Sequence, residues 1–393
     1  MTLVSGNVEP GFEKVKTAFA DNFSSLQEIG AACSVFIRGR KVVDIWGGYA
    51  DQKTGKAWQE NTTVLVFSVT KGLASMAIAL AHSRGLLDYD ERVSRYWPEF
   101  AARGKDAITV RQVLSHQAGL PYLDKPVSPA DIHTPDRLGN LIAGQQPLWE
   151  PGRRHGYHAY SIGWIESELL RRVDPSRRTL GRFFEEEIAA PLAIDFSIGI
   201  KEKRKLANIA RMHMPNILRG FLSVDPRMRQ FLTAIMNPWT HTSKTFMRSM
   251  TRADVNDPLF LMTENPGFGG VGTARAIAAA YDVFCRGGRE LNLSPATFKA
   301  ISDPSSPPVE GDFDVVLKMP MRYSLGYMKP HGKIQFGSSG RAFGAPGAGG
   351  AFAFADPDKE LSFAYVSNRF GLNMLDDPRE VNVRNAVYES SGG

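Results

Sequence analysis

Cysteine is scarce: among 393 residues only Cys33 and Cys285 carry a thiol. Two such distant residues build no disulfide scaffold, and without a metal-spaced Cys/His cluster there is no zinc signature. The scarcity fits a reducing compartment. No stretch of about 18 uninterrupted apolar residues occurs, so no membrane span is expected. The opening MTLVSGNVEPGF lacks a basic n-region and an apolar h-region, so a cytoplasmic protein is expected. The Gly-x-Ser-x-Gly elbow of α/β-hydrolases, the His-Glu-x-x-His zinc motif and the P-loop are all missing. His155 and His158 form a pair without a third ligand, and neither metal nor cofactor is expected. Charge of one sign is not concentrated: 47 Lys and Arg face 41 Asp and Glu, a net of +6. The basic pairs Arg153–Arg154, Arg171–Arg172 and Arg177–Arg178 and the stretch 201–205 come with no nucleic-acid-binding signature. They read as solvated helix faces, with neither nucleic acid nor membrane as partner.

What is present is an ordinary globular composition, 43% hydrophobic and 22% charged, in a chain long enough to bury a large core. Residues 11–29 read as an amphipathic helix carrying Phe12, Val15, Phe19 and Phe23 on one face. Residues 31–38 and 42–46 form β-rich runs joined by Gly39 and Arg40, a hairpin signal. From Ser68 to about Arg84 runs a helix that is apolar almost all round, as in a protein's centre, and Gly85 stops it. Residues 88–302 are mainly helical between Pro/Gly loops. Residues 322–328, 351–355 and 361–368 return to β character, and a last helix spans about 378–390. The layout predicts an α/β lobe made from both chain ends, residues 1–66 and 312–393. An all-α lobe, residues 67–311, is inserted between them.

The chemical candidate is Ser68-Val69-Thr70-Lys71. A hydroxyl needs a nearby base to act as nucleophile at neutral pH. Residues three apart share a helix face, so Lys71 would stand beside the Ser68 hydroxyl. This spacing alone arises about once by chance in such a chain, usually as a capping serine with a surface lysine. Here Lys71 opens an apolar helix and follows the apolar run 64–67. Burial there would lower its pKa and suit it to accept or relay a proton.

The segment VFSVTKGLASMAIALAHSRGLLDYDERVSRYWPEF, followed by ITVRQVLSHQAGL, resembles the serine β-lactamase/penicillin-binding-protein superfamily. The likeness is greatest to class C-like chains and their family VIII carboxylesterase relatives, and it runs from about Gly30 to Asn368. It implies a β-lactamase/transpeptidase-like fold, an antiparallel sheet flanked by helices with a helical lobe inserted. It makes Ser68 and Lys71 the first motif and gives the second to Tyr157, in Gly156-Tyr157-His158-Ala159-Tyr160. Ala159 stands where class C enzymes have Asn. His116, in Leu114…His116…Gly119-Leu120, is read as mainly structural. A buried Tyr157 flanked by cations would lose its proton more easily and could act as base beside Lys71; which of the two is the base stays open.

The third motif falls on residues 343–350. Ala345 and Pro346 replace the family's Lys and Thr, while Gly347 is kept. The resemblance makes the N–H groups of Ser68 and Ala348 the oxyanion hole and puts Gly347, Ala345, Trp149 and His158 at the substrate. Without the lysine, the carboxylate of a β-lactam lacks its cation unless Arg341 or His331 reaches it. The expectation is therefore hydrolysis of short- to medium-chain carboxylic esters through an acyl-enzyme. A β-lactamase, D-alanyl peptidase or acyltransferase, or a non-catalytic binding protein on the same fold, are the alternatives. Gly267 to Gly272 match Gly-x-Gly-x-x-Gly but follow Asn265–Pro266 instead of a strand, and read as a loop before the Thr273-capped helix. Residues 204–262, rich in Met, Phe, Leu and Arg, read as helical-lobe core or as an apolar wall of the substrate pocket.

Overall fold

A computed structural model describes residues 4–214, 226–250, 254–371, 373 and 375–392. Among them a nine-stranded antiparallel sheet runs in the order Val4–Val8, Arg40–Asp51, Gly30–Ile37, Leu361–Ser367, Ala351–Asp356, Phe343–Gly347, Tyr327–Met328 and Tyr323–Ser324, with Lys56–Ala57 beside Arg40–Asp51. Both ends of the chain thus meet in one sheet, through seven residue pairs between Gly30–Ile37 and Leu361–Ser367.

Strand alternation sorts the two faces of this sheet. In Ala351–Asp356, Phe352 and Phe354 point toward the terminal helices Glu13–Ser25 and Pro378–Ser390, among Phe19, Phe363 and Val387. Ala351, Ala353 and Ala355 point the other way, among Leu73, Ile277 and Phe284. Small side chains on that face let the helices Val69–Ser83 and Ala274–Cys285 approach closely. Val69 through Ala81 are all buried, so the former is the molecule's central helix. Gly72 is required where it crosses Ala274–Cys285, since a Cβ there would lie 1.9 Å from the Tyr281 hydroxyl.

Three local readings change. Residues 322–328 are not one strand but a hairpin of two short ones, with Leu325 and Gly326 at positive φ in the turn. Gly270–Gly272 is not loop. It is the middle strand of a small sheet between Val64–Leu65 and Phe196–Ile198, and a Cβ on Gly270 or Gly272 would strike the Phe196 ring at 2.4 or 2.5 Å. Val4–Val8 is an edge strand whose polar centre hid it from the sequence pattern.

The C-terminal helix is locked down by a buried charge cluster. Arg379 pairs with Asp377 at 2.8 Å and Glu28 at 3.1 Å, and its Nη2 donates to the Gly349 carbonyl at 2.7 Å. Removing one partner of such a cluster strands the others uncompensated, at a cost of about 3–5 kcal/mol. Arg379→Leu is expected to lose that much in urea unfolding; a loss below about 1 kcal/mol would contradict the assignment.

Candidate active site

The chain enters the site through a strained turn. Phe67, between the strand Val64–Leu65 and the central helix, has φ of +46°. A bulky residue in the left-handed region is uncommon and costs energy, and such strain collects at functional sites. It delivers Ser68 to the N-cap of Val69–Ser83, yet the Ser68 side chain makes no capping hydrogen bond. Its hydroxyl is available for other work.

Lys71 is 2% exposed, which removes the surface-lysine alternative. Its Nζ donates to the Ala159 carbonyl at 2.7 Å and the Gly267 carbonyl at 2.6 Å, and lies 3.2 Å from Ser68 Oγ. The second carbonyl comes from the Gly-rich segment. Gly163 lets that segment approach, since a Cβ there would lie 2.1 Å from the Gly267 nitrogen. At position 159, where class C enzymes carry Asn, the backbone anchors the lysine instead. Burial lowers the Lys71 pKa to about 7, with the nearby Glu166 carboxyl partly opposing it.

Tyr157 lies beside Ser68, and Lys71 Nζ sits 4.8 Å from its ring centroid. Its N–H donates to Asp314 Oδ1 at 3.2 Å. That buried carboxyl also accepts from the Val316 and Leu317 N–H groups and the Tyr323 hydroxyl, which fixes a whole wall of the site. Burial pushes the Tyr157 phenol well above its ordinary range. This reverses the sequence expectation, because desolvation outweighs the Ser68 hydrogen bond that favours ionisation, and the Asp314 carboxyl adds to the rise.

Ser68, Lys71, Tyr157, Ala345 and Ala348 line one cleft, with His116 on its wall. Gly347 brings the third-motif strand against the Phe67 turn: a Cβ would stand 2.4 Å from the Val66 carbonyl. Neither the Ser68 nor the Ala348 N–H finds an acceptor among the described residues. Pro346 is tolerated because the ladder to Tyr327–Met328 ends at Gly344.

Three expected substrate contacts are corrected: Gly347 is buried and does not line the cleft, and neither do His158 and Trp149. His158 is fully buried; its Nε2 accepts the Leu120 N–H at 3.0 Å, its Nδ1 donates to the Gly156 carbonyl at 2.7 Å, and burial lowers its pKa to about 3. Trp149 donates its indole N–H to the Arg154 carbonyl at 3.0 Å. Both brace the loop that carries Tyr157 and do not line the cleft. Of the apolar residues at 204–262, Phe246 lines the cleft and Phe231 packs against it at 5.3 Å. Met212 is buried away from the cleft, and Met214, Met236, Trp239 and Met247 are exposed. Ile217, Leu218, Phe221 and Leu222 and the side chain of Met228 lie outside the described residues. The remaining apolar wall comes from Leu317, Met321, Met328 and Leu375. Met328 falls in the stretch 322–328 read as β, whereas Leu317, Met321 and Leu375 stand outside any regular element and gave no periodic signal.

Arg341 is paired with Asp358 at 2.7 Å, and His331 with Asp312, both away from the cleft. Lys71 is the one basic amine or guanidinium among the described lining residues.

The family described as Beta-lactamase matches residues 19–388, and the chain belongs to it. It is a serine hydrolase with the β-lactamase/transpeptidase-like fold. It is 32% identical to the "Esterase/beta-lactamase LipL" of Mycobacterium tuberculosis over 376 residues, 93% of this chain and 83% of that one. Among solved structures it is similar to a family VIII carboxylesterase, with TM-score 0.86 and 32% identity, covering 99% of this chain and 100% of that one. A penicillin-binding protein homolog from Caulobacter crescentus is similar to the same degree: TM-score 0.85, 32% identity, and the same coverage.

Proposed function

We propose that the protein hydrolyses neutral carboxylic esters through an acyl-enzyme on Ser68, with Lys71 as the base. The supporting observation is the geometry around Lys71. A neutral lysine has two N–H bonds and one lone pair. The Ala159 and Gly267 carbonyls take the two N–H bonds, which leaves the lone pair facing Ser68 Oγ at 3.2 Å.

Ser68 Oγ attacks the ester carbonyl as its proton passes to Lys71 Nζ. The Ser68 and Ala348 N–H groups receive the oxyanion. Collapse of the tetrahedral intermediate breaks the ester C–O bond. The departing alcohol takes a proton from the Tyr157 hydroxyl, which is replenished from Lys71. A water then repeats the attack on the acyl carbon, Lys71 takes its proton, and the acid leaves as Ser68 is restored. Tyr157 is a donor in this scheme, because its phenol holds its proton so firmly.

Activity requires neutral Lys71, so kcat/KM for p-nitrophenyl butyrate should rise with pH and level off above about 7, following the lowered Lys71 pKa. Tyr157→Phe should keep that rising limb in place while lowering kcat about 10²- to 10³-fold. A limb that moved or vanished in Tyr157→Phe would make the phenol the base.

A further inference from the structure

Glu166 lies on the inner face of the helix Ser161–Val173 and is 1% exposed. One of its oxygens accepts the Ser75 hydroxyl at 3.3 Å, and the other is buried without a hydrogen-bond partner among the described residues. Ser75 is four residues after Lys71, so both project from one face of the central helix. Gly326, which lines the cleft, packs against both Ser75 and Glu166. A Cβ on Gly326 would fall 1.8 Å from Ser75 Oγ and 3.4 Å from Glu166 Oε1. Ester hydrolysis on Ser68 makes no use of this carboxyl, yet it is buried where its charge acts on Lys71.

The groups that face it are few. Lys71 and Ser75 come from the central helix, Tyr89 from the segment after it, and Tyr327 from the sheet. Both phenols stay uncharged, since burial raises them far above neutrality. Lys71 is therefore the cation whose field reaches Glu166. In a desolvated interior a lone charge is costly, and two opposite ones steady each other.

We propose that Glu166 is a positioning residue for the reaction: its carboxyl, held by Ser75 behind the cleft wall, sets the pH at which Lys71 is free to take the Ser68 proton. This rests on the reading of Lys71 as base. Burial raises the Glu166 carboxyl and lowers the Lys71 ammonium, so both change protonation near neutrality, and a charge on either one favours the charge on the other. As Glu166 ionises it strengthens the hold of Lys71 on its proton, and the onset of activity is pushed to higher pH.

The test is Glu166→Gln, which keeps the shape and removes the charge. The rising limb of kcat/KM should move to lower pH by on the order of one unit. The pH dependence of fluorophosphonate labelling of Ser68 should move with it. Ser75→Ala is the second variant. Losing its one hydrogen bond makes the carboxyl harder to ionise, so the limb should shift the same way by less. A merely structural role would lower the melting temperature or kcat and leave both limbs in place. Unmoved limbs in every variant that folds, with Ser68-dependent turnover intact, would overturn the role of Glu166 alone. A wild-type enzyme neither labelled at Ser68 nor active on esters would overturn the hydrolysis reading, and this inference with it.

Discussion

Ser68→Ala should lose ester turnover by about four orders of magnitude or more while keeping its melting temperature. The hydroxyl caps nothing, and its polar neighbours are Lys71 and Tyr157, so its removal costs the fold little. The loss is large because, among the described residues, Ser68 Oγ is the hydroxyl that hydrogen-bonds with Lys71 Nζ. Lys71→Ala should fall by a comparable factor, and the double variant with Tyr157→Phe by less than the product of the two. Groups that act on the same proton fail together. Lys71→Ala also leaves the Ala159 and Gly267 carbonyls without their donor, at about 1–3 kcal/mol for each buried group. Its stability must be measured beside its rate, and Ser68→Ala is the cleaner variant.

The second large effect is one of substrate choice. p-Nitrophenyl butyrate should exceed nitrocefin in kcat/KM by roughly 10- to 150-fold, the value of one charge-assisted contact of about 1.5–3 kcal/mol. The cleft offers Phe246, Leu317, Met321, Met328, Pro346 and Leu375 to an apolar acyl chain. To a β-lactam's carboxylate it offers Ala345 and Pro346, and Arg341 is engaged by Asp358. Ala345→Lys should narrow the gap if the new side chain turns into the cleft. Space is tight on the helix side, where the Ala345 Cβ lies 3.5 Å from where a Cβ on Gly72 would be. Should nitrocefin be the better substrate, a cation that the cleft lining does not show must bind its carboxylate, and the β-lactamase alternative would prevail.

What the sequence disclosed follows its periodicities. The helix Ala274–Cys285 and its Thr273 cap, the last helix Pro378–Ser390, and the strand pair at 351–356 and 361–367 were legible because pattern and cap agree. The placing of Lys71 was legible because an apolar helix around a lysine leaves it nowhere to go but inside. The carbonyls that hold Lys71 were not, since backbone groups carry no residue-type signature. The Gly163–Gly267 approach that aims one of them shows only as a Cβ that would not fit. Tyr157 was legible by resemblance, but the direction of its proton affinity was not: counting cations in the sequence ignores desolvation, which dominates in the folded protein. Trp149 and His158 were misplaced for a related reason. A residue near the site in sequence can face the supporting loop: Trp149 bonds the Arg154 carbonyl, and His158 spends both ring nitrogens on the backbone.

The central claim is that the ester's acyl group passes through Ser68. Brief acid quench of the enzyme during turnover of p-nitrophenyl butyrate, followed by intact-mass measurement and peptide mapping, tests it most directly. The expected result is one butyryl group per chain, on the peptide that contains Ser68, and none in Ser68→Ala. Steady ester turnover by Ser68→Ala, or a butyryl group mapped to another residue, would contradict it.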